Sequence, residues 1–132
     1  YDEGRGEMQD FRAAVDWAAT QYPGTSVWAA GFSFGAWVAL SAGTSDDRVA
    51  LLMGIAPPTH YDLTEFQHSE KPKFLIHGEA DELIPLQDIW KLYGKLQEPK
   101  ELVVIDTADH SFDGKVSEVG DAIEDLLGDF EP

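Results

Sequence analysis

Met8, Phe11, Val15, Ala18 or Ala19, and Tyr22 recur at intervals of three and four, so the chain before Pro23-Gly24 carries one apolar face. That period predicts a helix over about residues 4–21, with Glu3 and Glu7 at its electropositive start and Pro23-Gly24 as its stop. The pattern then changes. Thr25-Ser26-Val27-Trp28-Ala29-Ala30 is short and mostly apolar, as a strand is, and Ala36 to Ala42, closed by Gly43, predicts a helix over about 34–43. Val49 to Ala56 is an unbroken apolar run ended by Pro57-Pro58, which suits a strand covered on both faces. Phe74-Leu75-Ile76-His77 and Leu102-Val103-Val104-Ile105 are two further strands. Between them, Leu86, Ile89, Trp90, Tyr93 and Leu96 mark an amphipathic helix after Pro85; Val116, Val119, Ile123, Leu126, Leu127 and Phe130 mark a last one. Residues 57–72 mix proline, polar and aromatic residues without a period and read as a loop with at most one short helical turn.

Four strands alternating with helices imply an α/β fold: three layers, α/β/α, around a four-stranded parallel sheet with right-handed crossovers and helices on both faces. No repeat, low-complexity tract or linker interrupts residues 1–132, so a single domain is expected. The chain enters its first helical pattern almost directly from Tyr1, which reads as a start made by truncation or processing.

Composition narrows the chemistry. A formal charge of −16 repels phosphate backbones and anionic lipid, which argues against nucleic-acid partners and favours neutral or cationic substrates. With no cysteine, a disulfide framework and a thiolate nucleophile are both excluded. No apolar run approaches the ~18 residues of a membrane span and no basic-then-apolar leader is visible, so no membrane partner is expected and the cytoplasm is the default location. Neither metal-ligand spacing nor a G-x-x-x-x-G-K loop occurs, so no metal and no cofactor is expected.

The candidate chemistry centres on Gly31-Phe32-Ser33-Phe34-Gly35, a G-x-S-x-G sequence where a strand hands over to a helix. Such a turn strains the serine backbone, and small residues on either side, Gly31 and Gly35, are expected to let strand and helix pass. In an open parallel sheet ligands bind beyond the carboxyl ends of the strands. Ser33, Asp81 and His110 each follow such an end, in the order serine, aspartate, histidine. Glu79 and Glu82 flank Asp81 and are substitutes for it as the carboxylate. Asp109 reads as a turn residue, His77 as a strand-end histidine with a structural hydrogen bond, and His60 and His68 as surface residues. Trp37 reads as core or interface area, whereas Phe32, Phe34 and Phe112 flank the reactive groups and read equally as core or as the lining of an acyl pocket, Phe32 and Phe112 above all.

Together these segments resemble the C-terminal portion of a small α/β hydrolase of the dienelactone-hydrolase-like group, over nearly all 132 residues. The resemblance is carried by Asp2-Glu3-Gly4-Arg5-Gly6-Glu7, Gly31-Phe32-Ser33-Phe34-Gly35-Ala36, His77-Gly78-Glu79-Ala80-Asp81-Glu82 and Ala108-Asp109-His110-Ser111-Phe112. It implies that Ser33 is the nucleophile, His110 the general base and then acid, and Asp81 the carboxylate that orients the imidazole. It also implies that the backbone N–H of Phe34 is the first oxyanion donor. In relatives the second donor comes from a loop after an earlier strand, which would lie before Tyr1. Weak hydrolysis is therefore expected unless another chain or Tyr1-Asp2 supplies a substitute, since one lost donor costs about 10²–10³ in rate. The same shortening would leave the elbow strand as an apolar edge, so a homo-oligomer through residues 25–31 is expected.

The resulting expectation is hydrolysis of small, short-acyl carboxylic esters through an acyl-enzyme on Ser33, in an open site because residues 57–72 are too few for a large lid. A thioesterase or peptidase would use the same three groups. The competing class is a non-catalytic, hydrolase-derived fragment or interaction module.

Overall fold

The structure, a computed structural model, describes residues 4–129; the readings placed on Tyr1, Asp2, Glu3 and Phe130 lie outside them. Its elements run α1 (Arg5–Gln21), β1 (Val27–Phe32), α2 (Phe34–Thr44), β2 (Val49–Ile55), α3 (Thr64–His68), β3 (Lys73–Gly78), α4 (Leu86–Lys95), β4 (Lys100–Ile105) and α5 (Val116–Asp129). The strands form one parallel sheet in the order β1-β2-β3-β4. Each periodic segment therefore became the element its period predicts, and the short turn within 57–72 is the five-residue α3. No helix among the described residues is long and apolar enough to cross a membrane.

One boundary moved for a reason that matters. β1 continues through Gly31 and Phe32, which pair with Gly54 and Ile55 of β2, so the strand stays in the ladder up to the residue before Ser33. The Ser33 N–H extends the ladder by donating to the Ile55 carbonyl at 2.9 Å. Parallel pairing, a tertiary interaction, thus carries the strand further than the local apolar run did.

Alternation along the strands separates two cores. Ala29, Leu52 and Leu75 point to one face, where they meet Val15 of α1, Leu40 of α2, Phe66 of α3 and Leu92 of α4. Met53, Phe74, Ile76 and Ile105 point to the other, against Ala122 and Leu126 of α5. Leu40, Leu52 and Leu75 are fully buried, and burying a leucine side chain stabilises by about 1.5–3 kcal/mol. Both faces carry helices, but four lie on one and a single helix on the other. That helix packs on β3 and β4, and among the described residues no helix is seen packed over the second face of β1. Trp28 and Phe32, on that face, remain 36% and 46% exposed.

Candidate active site

Ser33 sits between β1 and α2 with φ 56° and ψ −124°, a conformation that costs an L-residue on the order of 1–3 kcal/mol. Its backbone is held there from both sides: its N–H is bound to Ile55, and its carbonyl accepts the Ala36 N–H at 2.9 Å. Gly31 makes the crossing possible, because a Cβ there would lie 2.1 Å from the Gly35 carbonyl oxygen. Gly35 departs from expectation. A Cβ on it would meet no described atom within 4 Å, because it points outward from the start of α2 while that of Gly31 points at the returning backbone.

The second and third groups come from the turns after β3 and β4, and these turns are laced together. Glu79 N–H donates to Ile105 and Ala80 N–H to Ala108, both at 2.9 Å. Asp81 is buried, with Oδ1 accepting the N–H groups of Leu83 and Ile84 at 2.8 Å each. Those two bonds fix the carboxylate and leave Oδ2 for His110 Nδ1, 2.7 Å away. Of the three neighbouring carboxylates, Asp81 alone is aimed at the imidazole: Glu79 accepts the Thr107 N–H and Glu82 is exposed.

His110 Nε2 lies 2.9 Å from Ser33 Oγ. With Nδ1–H donated to a carboxylate, Nε2 presents its lone pair to the serine hydroxyl. The three side chains therefore form one hydrogen-bonded line in which a proton leaving Ser33 has a place to go and the resulting imidazolium has a buried counter-charge. Phe34, the residue after the serine, opens α2, so its amide stands at the electropositive end of that helix.

His77 lies beneath this line, fully buried, its Nε2–H donated to the Ile84 carbonyl at 2.7 Å and 3.4 Å from Asp81 Oδ2. This is the structural bond expected of it. Its Nδ1 has no hydrogen-bond partner among the described residues, and burial holds its pKa below the usual histidine range, which favours the neutral ring.

The aromatic residues divide differently from expectation. Phe32 packs its ring 5.6 Å from the His110 ring and so backs the imidazole, while Phe112 packs 6.3 Å from Phe32, behind it. Neither lines the cavity that contains Ser33 and His110. That cavity, about 340 Å³, is walled by Phe34, Pro58, His60, Tyr61, Leu83 and Ile84. Most of these carry no motif; their signal in the sequence was only their place in the loops after β2 and β3. Trp37 is partly buried against the first core, as expected, and stacks on Tyr61 at 5.0 Å. Of the histidines placed at the surface, His60 and His68 are both exposed, yet His60 also borders the cavity. Asp109 is an exposed turn residue whose Oδ1 accepts the Asp113 N–H.

The fold has counterparts elsewhere. Residues 4–126 match the model of the dienelactone hydrolase family. The chain belongs to that family. It is 31% identical to the Rickettsia prowazekii protein RP471 over 96% of its own length and 58% of that protein's. Among solved structures it superposes on an alpha-beta serine hydrolase homologue from Coxiella burnetii with a TM-score of 0.87 at 30% identity, covering 99% of this chain and 62% of that one. It superposes on XC6422 from Xanthomonas campestris, described as an α/β serine hydrolase without lid, with a TM-score of 0.89 at 31% identity, covering 100% and 60%. This dienelactone hydrolase family chain thus spans about 60% of the length of these three relatives.

Proposed function

We propose that this chain carries the nucleophile and proton-transfer machinery of a serine hydrolase that cleaves small, uncharged carboxylic esters. The observation that carries this reading is the Ser33–His110–Asp81 line, with contacts of 2.9 and 2.7 Å around a serine in a strained turn.

In the proposed reaction Ser33 Oγ attacks the ester carbonyl carbon while His110 Nε2 takes its proton. Charge develops on the carbonyl oxygen, which the Phe34 N–H stabilises at the start of α2. The C–O bond to the alcohol breaks as His110 returns the proton to the leaving oxygen. Water, deprotonated by the same histidine, then attacks the acyl carbon and frees Ser33 and a carboxylic acid. Asp81 keeps the proton on Nδ1 throughout and offsets the transient positive charge of the ring. Family membership supports the hydrolase class, and the open cavity supports small esters. Among the described residues no lysine or arginine lines the cavity, so no permanent cation there would offset a charged acid group on the substrate.

The test is hydrolysis of acetyl and butyryl nitrophenyl esters by the protein and by Ser33→Ala, together with labelling by a fluorophosphonate probe. Ser33-dependent turnover and labelling are expected. Equal rates in both proteins and no labelling would leave a non-catalytic, interaction-module role instead.

A further inference from the structure

Two cavities meet at His110. The first, with Ser33 and Phe34, is described above; the second, about 370 Å³, is formed by Ala80, Glu82, Leu83, Asp109, His110 and Ser111 and does not include Ser33. Leu83 borders both and is 71% exposed, so it forms the ridge between them. The proposed chemistry assigns them different halves of an ester. The acyl carbon becomes bonded to Ser33 Oγ, so the acyl group must lie in the cavity that holds Ser33. The alcohol oxygen must receive its proton from His110, so the alcohol lies toward the cavity that shares only His110.

The acyl cavity has a distinctive wall. The Tyr61 ring packs against Trp37 at 5.0 Å and 31°, against His60 at 4.5 Å and 33°, and edge-on to Phe34 at 5.8 Å and 66°. Its backbone is pinned next door: Trp37 Nε1–H donates to the Asp62 carbonyl at 2.9 Å, and Asp62 Oδ1 accepts both the N–H and the hydroxyl of Thr64. Tyr61 is therefore a pre-ordered aromatic side chain in the loop after β2. The remaining non-catalytic walls include the aliphatic surfaces of Pro58, Leu83 and Ile84. A flat ring gains from an ordered aromatic plate what a methyl group cannot, because offset and edge contacts add to simple area burial.

Resting on the hydrolase reading above, we infer that Tyr61 is a specificity-determining residue and that the acyl subsite selects uncharged planar aromatic acyl groups over acetyl. The alcohol has no such constraint, since among the described residues the second cavity is lined by no aromatic side chain other than His110.

The test uses two sulfonyl fluorides that sulfonylate serine, phenylmethanesulfonyl fluoride and methanesulfonyl fluoride. In each, Ser33 Oγ forms the new S–O bond, fluoride leaves, and the serine proton passes to His110. Rates are read by intact mass, so slow turnover does not matter, and comparing the ratio of the two rates between variants cancels their intrinsic reactivity. In Tyr61→Ala the aromatic-to-methyl ratio is expected to fall about tenfold, and Tyr61→Phe is expected to keep it, in line with a stacking contribution of that size. A ratio unchanged in Tyr61→Ala, with both rates intact or both reduced alike, overturns the inference while leaving Ser33-dependent chemistry standing. Failure of both reagents and of the fluorophosphonate probe to modify Ser33 overturns the hydrolase reading, and this inference with it.

Discussion

A Cβ on Gly78 would lie 2.5 Å from the carbonyl oxygen of Ala108. The chain leaving β3 thus touches the chain leaving β4 backbone to backbone, and Asp81 and His110 are launched from that crossing. The obstruction is main chain, which cannot swing aside as a side chain would. Gly78→Ala is therefore expected to destabilise by about 1–3 kcal/mol, the usual range for overpacking, and to separate Asp81 from His110. Fluorophosphonate labelling should slow by more than the stability loss explains; unchanged labelling in a folded variant would show that the crossing does not set the spacing.

Asp81→Asn should leave the fold intact and remove reactivity. The Asn Oδ1 can still accept the N–H groups of Leu83 and Ile84, which hold the turn. Its amide would offer a donor to His110 Nδ1 and drive the ring to the tautomer that cannot accept from Ser33. A fall of about 10⁴ in labelling rate with an unchanged circular dichroism spectrum is the expected result.

His77 makes stability depend on pH. Burial lowers its pKa in the folded chain from the ordinary 6.5, so the unfolded chain binds a proton that the folded chain refuses. Stability is then greatest above the unfolded value and declines as pH falls through it toward the lower folded value. Thermal melts should show Tm dropping as pH falls below about 6.5. His77→Gln, which keeps a donor for the Ile84 carbonyl and does not titrate, should flatten that decline; an identical slope in the variant would assign the effect to other groups.

Strain at Ser33 predicts a trade between stability and chemistry. Glycine tolerates φ 56° without a Cβ penalty, so Ser33→Gly should be more stable than Ser33→Ala by about 1 kcal/mol, with neither variant labelled. Chemical denaturation of the two variants measures the difference directly. Equal midpoints would mean that the turn stores no strain.

The edge of β1 remains the place where self-association is expected. Residues 27–32 pair with β2 alone among the described strands, and Trp28 and Phe32 leave apolar area beside that edge. Sedimentation velocity should show concentration-dependent association that Trp28→Lys weakens. A single monomeric species at every concentration removes the expectation.

Much of this protein was legible before any coordinates. Apolar period alone separates its strands from its helices, because burial against a sheet demands continuous or alternating apolar residues and burial of a helix demands every third or fourth. The order Ser33, Asp81, His110 at three strand ends placed them at one edge of a parallel sheet, since all such ends face the same way. What tertiary structure decided is finer and follows from contacts between loops distant in sequence. Asp81 rather than Glu79 or Glu82 meets the imidazole because the Leu83 and Ile84 amides turn it. Gly31 rather than Gly35 carries the steric demand because only its Cβ faces returning backbone. Phe32 backs the imidazole with Phe112 behind it, and Tyr61, Pro58, Leu83 and Ile84 wall the cavity that holds Ser33, because loop residues lack the repeating geometry that lets a pattern reveal which way a side chain points.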